Sequence, residues 1–184
     1  MLLANHPLLG KTIAGDRTSR LTIRAAEDVA RFSLRIDPAS AQSAGAAFGT
    51  PLPTRIGGRV ENGGRSALQL GPDEWVLLAP VAESDAIAEA FAALQEPHSL
   101  VDIGHREVGI LVEGEAAALA LRSAIAFDIE AMPVGSGCRT IFDKAQIVLI
   151  REDKNRFRIE VWRSFADHVW GLLQAVSREI ALGI

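Results

Sequence analysis

The stretch SALQLGPDEWVLLAP, residues 66–80, carries the strongest local signal for the fold. Two apolar runs flank the turn-forming sequence Gly-Pro-Asp-Glu at 71–74. Glycine and proline favour tight turns, and aspartate side chains bond to nearby backbone, so this pattern predicts a β-hairpin. Its second strand starts on a large aromatic residue, Trp75, which we expect to pack between a sheet and a helix.

The same order of strand, turn, strand and helix returns near the C-terminus. In the first half, the strand of residues 75–79 precedes a helix that we expect Ser84 to cap. In the second half, an alternating strand at 157–161 precedes a helix for which Ser164 and Asp167 have capping-box spacing. The repeat predicts an α+β fold of two similar split-βαβ-like units. Each unit is expected to lay its helices on one face of an antiparallel sheet.

The first of these units is expected to begin with a half-buried strand. Between residues 29 and 36, apolar positions alternate with Arg31, Ser33 and Arg35, which we expect to face solvent. The glycine-rich segment 54–65 predicts a loop or a flat hairpin arm.

Length and composition favour one compact domain and exclude several classes. The chain has 184 residues, 48% of them hydrophobic, which fits a single domain 1–184 with units at about 20–97 and 98–184. No apolar run approaches the roughly 20 residues of a membrane span, and the N-terminus lacks signal-peptide features. The single cysteine, Cys138, fits a reducing, cytoplasmic location. A formal net charge of −4 gives no broad attraction to nucleic acid.

Candidate catalytic and metal-binding groups are scattered through the sequence. Asp102 and His105 form the closest acid–histidine pair, and their spacing favours a structural or interface role over a metal site. Cys138 follows a turn, which favours a small half-buried residue over a reactive thiol. Asp73 and Glu74 are paired carboxylates, which acid–base catalysis can use. Adjacent residues in one turn rarely converge on one substrate atom, however, so we expect them to fix the turn or to contact a partner.

Basic residues cluster around the last predicted hairpin, between Arg151 and Arg163. Interleaved acidic residues favour a solvated face over a phosphate-binding track, with binding of an acidic protein partner as the intermediate alternative. Trp162 lies, by strand alternation, on the side of Arg158 and Glu160. A tryptophan beside an arginine is typical of an interface anchor, whereas sheet twist or a second layer would bury it. The sequence leaves both alternatives open.

Several motifs occur in a fixed order across residues 33–180. They are GTPLP at 49–53, LGPDEW at 70–75, VDIGHR at 101–106, VEGEA at 112–116, FDI at 127–129, PVGSGC at 133–138 and RSFAD at 163–167 with Trp170 behind it. Together they resemble the gamma subunit family of heterotetrameric sarcosine oxidase. The central part, 102–128, is also similar to the folate-binding aminomethyltransferase family of the glycine cleavage T-protein.

The chain departs from the T-protein pattern at functional positions. Gly104 stands where that family usually has serine. The family's folate-site aspartate lies in a glycine-rich segment of a hairpin, where this chain has only DKAQ at 143–146. The one-carbon chemistry of that family is therefore not assigned to any residue here.

The resemblance implies the fold of the folate-binding aminomethyltransferase domain and a non-catalytic role in assembly with alpha, beta and delta subunits. The complex is expected to demethylate sarcosine oxidatively to glycine, using FAD, FMN, NAD and tetrahydrofolate. We expect none of these cofactors, and no metal, to bind this chain. The candidate interface or structural residues are Gly71, Pro72, Asp73, Glu74, Trp75, Asp102, His105, Arg106, Trp162 and Arg163.

Two alternatives belong to other classes. One is a stand-alone folate-binding or aminomethyltransferase-like protein, for which the T-protein-like centre is the motivation. The other is a homodimeric scaffold that uses Trp162 and the basic hairpin as its contact surface.

Overall fold

Two antiparallel sheets and four α-helices form the part of the chain that the computed structural model describes, residues 6–14 and 20–183. The strands are β1 (Thr12–Ala14), β2 (Thr22–Ala25), β3 (Ala30–Ile36), β4 (Arg59–Asn62), β5 (Arg65–Gly71), β6 (Glu74–Ala79), β7 (His98–Asp102), β8 (Glu107–Glu113), β9 (Ser136–Phe142), β10 (Ala145–Asp153) and β11 (Arg156–Trp162). The helices are α1 (Ala41–Phe48), α2 (Ser84–Ala92), α3 (Ala117–Arg122) and α4 (Arg163–Leu182). The prediction about a signal peptide concerns a segment that starts at residues 1–5, outside the described residues.

The chain divides into two compact units. The central unit comprises Asp28–His105 and Gly135–Cys138, and the terminal unit comprises the described residues of Met1–Glu27, Arg106–Val134 and Arg139–Ile184. These boundaries differ from the expected 20–97 and 98–184. The difference arises because β2, which was expected in the first unit, pairs with β8 of the terminal unit. In the same way, β7, which was expected in the second unit, pairs with β3 of the central unit. Pairing between strands distant in sequence therefore sets the boundary. The single compact domain 1–184 stays a prediction.

The central unit contains the predicted split βαβ arrangement. Its sheet has the order β4-β5-β6-β3-β7, and every neighbouring pair is antiparallel. Since β6 and β7 are each antiparallel to β3, they run parallel to one another with β3 between them. Helix α2 connects them. The hairpin predicted from residues 66–80 is confirmed as β5–β6, and the glycine-rich segment contributes its hairpin arm, β4.

The terminal unit repeats this plan with one strand supplied from elsewhere in the chain. Its sheet has the order β1-β2-β8-β11-β10-β9. Strands β8, β11, β10 and β9 take the places that β3, β6, β5 and β4 take in the central unit. The place of β7 is taken by β2, which precedes β8, β9, β10 and β11 in sequence. The prediction of two similar antiparallel units is confirmed.

One face of each sheet packs against the helices of its own unit. The core of the central unit includes Trp75, Phe32 and Leu77 of the sheet and Phe48 and Phe91 of α1 and α2. The core of the terminal unit is built in the same way from α3, α4 and the alternating residues of β8, β10 and β11. Alternating side chains on paired strands produce such a face, and its burial drives folding.

The starts of α2 and α4 differ from the predicted capping signals. The Asp37 carboxylate accepts a 2.9 Å hydrogen bond from the Ala39 backbone and caps a short 3₁₀ helix, Pro38–Ser40. The predictions for Ser84 and Ser164 are wrong, because both residues already lie inside their helices. A capping residue needs non-helical backbone, and β11 continues into α4 without a linker. The Asp167 carboxylate instead contacts the Lys11 ammonium at 2.6 Å.

Three polar residues of β3 and β11 are buried, in contrast to the solvated faces that were predicted, whereas Arg35 is exposed as expected. Arg31 has no exposed surface and Glu160 is 1% exposed. Arg158, also buried, forms an ion pair with Glu160. Gly109 leaves room for this pair, since a β-carbon there would lie 2.9 Å from the Arg158 Nη2 atom. Strand alternation separates two faces but does not show whether the second face is covered.

Arg151 of the basic hairpin is held by internal contacts, whereas Lys154 and Arg156 of the same hairpin are exposed, as the prediction of a solvated face requires. The Arg151 guanidinium donates to the backbone carbonyls of Glu130 and Lys154, at 2.9 Å in each case. It also lies 5.3 Å from the centre of the Phe157 ring, a cation–π contact. Arg151 therefore fastens the loop before β9 to the β10–β11 hairpin.

Replacing Arg158 by methionine is expected to destabilise the chain by about 3–5 kcal/mol, because Glu160 stays buried without its arginine. The double variant Arg158→Met, Glu160→Leu removes both charges and should recover most of this loss. Urea unfolding measures both changes. Equal stability of the native chain and Arg158→Met would show that the pair contributes nothing.

Candidate functional site

The turn of the β5–β6 hairpin is fixed by a single guanidinium. Gly71 pairs with Glu74, so the turn itself consists of Pro72 and Asp73. The Arg35 guanidinium contacts the Asp73 carboxylate at 2.8 Å and the Glu74 carboxylate at 3.1 Å. Both candidate acids are therefore engaged by Arg35, and the geometry supports a turn-fixing role.

Arg35 was not identified as a site residue from the sequence, although a signal for it exists. In the antiparallel pairing of β3 with β6, Arg35 lies directly opposite Glu74. Opposite charges facing each other across a strand pair are a recognised source of stability. The pairing partner of β3 could not be read from local sequence, so neither could this contact.

Trp75 is fully buried in the core of the central unit. Its indole Nε1 donates a 2.9 Å hydrogen bond to the Pro53 carbonyl. A buried indole N–H needs such a partner, and here the GTPLP motif supplies it. The expected packing position of Trp75 between sheet and helices is thus observed.

Asp102 and His105 lie at the end of β7 and just after it, and both are exposed. The Asp102 carboxylate accepts a 2.7 Å hydrogen bond from the Gly104 backbone. Aspartate commonly closes a turn in this way. This contact supports a structural role for Asp102.

Arg106, Trp162 and Arg163 come together in the terminal unit. The Arg106 guanidinium carbon lies 5.2 Å from the centre of the Trp162 ring, and the Arg163 backbone donates a 2.9 Å hydrogen bond to the Arg106 carbonyl. Glu107, which pairs with Trp162 across β8 and β11, contacts Arg106 at 3.2 Å. Trp162 remains 41% exposed, which decides between the two alternatives for its side chain. We name this group the Trp162 cluster.

The central unit carries an open cleft of about 480 Å³ beside α1. It is lined by one side of α1, from Ala41 to Ala46, and by residues of the segment from Gly49 to Thr54. This volume would accommodate a small molecule. The lining residues are uncharged, so the cleft offers no acid or base.

A cleft of about 570 Å³ lies in the terminal unit between the end of α3 and α4. Asp143 lies on its rim and contacts His168 at 2.8 Å. Ser123, which also lines the cleft, donates its hydroxyl hydrogen to the Ala120 carbonyl within 2.7 Å. That hydroxyl therefore belongs to the end of α3 and is not directed to the histidine. An activated nucleophile would require such a contact.

Cys138 is half-buried, as predicted, and burial raises the pKa of its thiol. Within residues 6–14 and 20–183, no three His, Cys, Asp or Glu side chains gather as metal ligands do. In the same described part of the chain, no helix is both long and apolar enough to cross a membrane.

These features define a class of protein. It is an α+β chain of two antiparallel units whose candidate acids make structural contacts, with an exposed tryptophan–arginine cluster of the type found at protein interfaces. The family model described as "Sarcosine oxidase, gamma subunit family" matches residues 33–179. The chain therefore belongs to the sarcosine oxidase gamma subunit family, and the resemblance found in the sequence motifs is confirmed.

Individual relatives agree with this assignment. The chain is 32% identical over 175 residues to the sarcosine oxidase subunit gamma of Corynebacterium sp. strain U-96, covering 90% of this chain and 82% of that one. It is 33% identical over 138 residues to the protein of the same name from Corynebacterium sp. strain P-1, covering 71% of this chain and 66% of the relative.

Solved structures show the same relationship. A chain of the heterotetrameric sarcosine oxidase from Corynebacterium sp. U-96 matches with a TM-score of 0.82 at 28% identity, over 91% of this chain and 89% of that one. The aminomethyltransferase T of the glycine cleavage system from Bartonella henselae matches with a TM-score of 0.65 over 82% of this chain and 44% of that chain. At 15% identity this second match shows the shared fold alone.

Replacing Trp75 by alanine should cost about 3–5 kcal/mol of unfolding free energy, because a fully buried indole leaves a large cavity. Trp75→Phe keeps most of the ring but loses the bond to Pro53, so it should be less harmful. Urea unfolding of both variants measures the costs. Near-native stability of Trp75→Ala combined with lost complex formation would instead make Trp75 an interface residue.

Cys138 should react slowly with iodoacetamide in the folded chain at pH 8. Its raised thiol pKa lowers the thiolate fraction at a given pH, and the thiolate is the reactive form. We expect alkylation to be at least about 10-fold slower than in the same chain unfolded in urea. Mass spectrometry follows the reaction, and equal rates in the two states would contradict the burial of this thiol.

Proposed function

We propose that this chain is a non-catalytic assembly subunit of a heterotetrameric sarcosine oxidase, and that it associates with alpha, beta and delta subunits. The single observation that carries the proposal is the gamma-subunit match across residues 33–179. The relative with a solved structure is a chain of a heterotetrameric enzyme, and its fold agrees along nearly all of this chain. The complex would demethylate sarcosine oxidatively to glycine.

The contacts of the candidate acids support the non-catalytic part of this proposal. Asp73 and Glu74 are held by Arg35, and Asp102 closes a turn onto the Gly104 backbone. A general acid or base must direct its carboxyl group at a substrate. These three carboxylates instead hold the strand ends of the central unit in place.

The proposal extends to the cofactors. FAD, FMN, NAD and tetrahydrofolate would be used by the complex, and none of them would bind this chain. The β9–β10 hairpin supports this for tetrahydrofolate, since only Asp143 and Lys144 lie between its strands. The glycine-rich segment that the T-protein resemblance would place in this hairpin is thus missing. A cytoplasmic location is part of the proposal.

The Trp162 cluster is our proposed contact with another subunit. Its exposed indole offers a large apolar area, and Arg106 and Arg163 beside it can bond to carboxylates or carbonyls of a partner. Tryptophan and arginine are enriched among the residues that dominate binding energy at interfaces. The turn residues Pro72 and Asp73, both exposed, form a second candidate contact.

Co-expression with the other subunits tests the proposal. Size-exclusion chromatography should show this chain eluting with the alpha, beta and delta subunits as one stable complex. The isolated chain should give no saturable micromolar heat signal when titrated with tetrahydrofolate. A clean monomer beside the other subunits would contradict the assembly role. Saturable folate binding by the isolated chain would support the stand-alone alternative.

Trp162→Ala should weaken complex formation by about 10-fold or more, because interface tryptophans commonly contribute more than 1 kcal/mol. Ile141→Ala is the matched control, since Ile141 is a similarly exposed apolar residue outside the Trp162 cluster. Affinity is measured by biolayer interferometry with the other subunits immobilised. An unchanged affinity for Trp162→Ala, or an equal loss for the control, would discard this surface.

A further inference from the structure

Strand β7 is an edge strand whose outer backbone groups point away from the sheet. The Ile103 backbone donates a 2.8 Å hydrogen bond to the Arg31 carbonyl, in the same register as the β3–β7 pairing. Hydrogen-bonded and non-hydrogen-bonded pairs alternate along an antiparallel ladder. Ser99 and Val101 therefore bond to β3, whereas the N–H and C=O groups of the alternate residues of β7 point outward. These outward residues are His98, Leu100 and Asp102.

This edge has few of the features that usually prevent pairing with another chain; its one carboxylate, Asp102, is at the end of the strand and accepts a hydrogen bond from the Gly104 backbone. Edge strands are commonly protected by lysine, by proline within the strand or by a bulge. Between His98 and Asp102 there is no lysine, arginine or proline, and the register with β3 is continuous. The opposite edge of the same sheet, β4, carries Arg59 and Glu61.

The terminal unit shows what fills the corresponding position. Strand β2 takes the place there that β7 takes in the central unit, and the outer edge of β2 is covered by β1. The pairing is antiparallel, with Ile13 opposite Ile23. Within residues 6–14 and 20–183, an additional strand thus completes the sheet order in one unit, and no strand pairs with the outer edge of β7 in the other. The natural occupant of the β7 edge is therefore an extended strand.

The side chains of β7 indicate the chemistry of that strand. Val101 is 51% exposed, so an added strand could bury its side chain. Leu100, on the other face, packs against the core of the central unit and is only partly buried. A strand added beside β7 would place its side chains next to both residues. Apolar or β-branched residues would bury them best.

We propose that β7 accepts an extended, apolar-containing segment of another subunit of the oxidase as an additional strand. This inference rests on the proposed function, because it takes the partner from the heterotetramer. Backbone hydrogen bonds to His98, Leu100 and Asp102 supply affinity, and packing of the added strand's side chains against Val101 supplies specificity. The surface is separate in sequence from the Trp162 cluster.

Amide hydrogen exchange tests the proposal with an alternating pattern that simple burial would not produce. In the isolated chain, the amides of Ser99 and Val101 should be protected and that of Leu100 should exchange freely. In the complex with the other subunits, the Leu100 and Asp102 amides should slow by at least about 10-fold. Exchange of the Leu100 amide at the same rate in the complex and in the isolated chain would overturn the inference.

Substitution of Val101 supplies an independent readout. Val101→Lys places a charge on the edge at an exposed position, so the chain should fold but dissociate from the complex at least about 10-fold faster. Val101→Thr keeps the β-branched shape and is the matched control, with dissociation close to native. Equal dissociation of the lysine variant and the native chain would contradict the proposal.

The outcomes separate this inference from the function on which it rests. If the native chain forms no complex at all, the assembly role and the β7 proposal both fail. If the complex forms while the β7 amides stay unprotected, only the β7 proposal fails. Concentration-dependent protection of Leu100 in the isolated chain would identify a second copy as the occupant and would also overturn the proposal.

Discussion

The alignment of the β5–β6 hairpin on β3 is the constraint on which the central unit depends. Arg35 on β3 holds both acids of the hairpin turn, and Trp75 enters the core one residue later. A shift of one residue would turn Trp75 out of the core and separate Arg35 from Glu74. Packing and electrostatics therefore select the same register. Helix α2 and strand β7 follow in sequence, and β7 pairs with the other side of β3.

The terminal unit has the same sheet order, but its corresponding strands follow one another in a different order along the sequence. Its last position is filled by β2, from the beginning of the sequence, and β1 continues the sheet beyond it. This leaves an asymmetry between two otherwise similar units, because in the described part of the chain β1 covers the edge of β2 and no strand covers that of β7. In a family whose members are subunits of a larger enzyme, such a free edge and an exposed tryptophan are features that a partner can use. The candidate acids, in contrast, are engaged within the chain.

Much of the candidate site followed from local sequence. The turn at 71–74, the half-buried Cys138 and the packing of Trp75 were predicted from turn chemistry and hydrophobic patterning. The role of Arg35 was missed because it depends on the strand that lies beside β6. The burial of Arg31, Arg158 and Glu160 was missed for a related reason. Period-two alternation assigns these residues to one side of a strand, whereas only the assembled fold decides whether that side meets water.

The sequence by itself determined the α+β class, the repeated strand–turn–strand–helix plan and, through its ordered motifs, the family. These properties depend on residues close together in the chain, where spacing and propensity act directly. Tertiary structure alone decided that β2 joins the terminal unit, that β7 is an edge and that Arg106 stacks on Trp162. Those contacts join residues far apart in sequence, and their energies arise only once the sheets have formed. The physical reason is that a strand's local sequence allows several strands to pair with its edges and several elements to pack on its faces. The arrangement that buries the most apolar surface is selected from these in the folded chain.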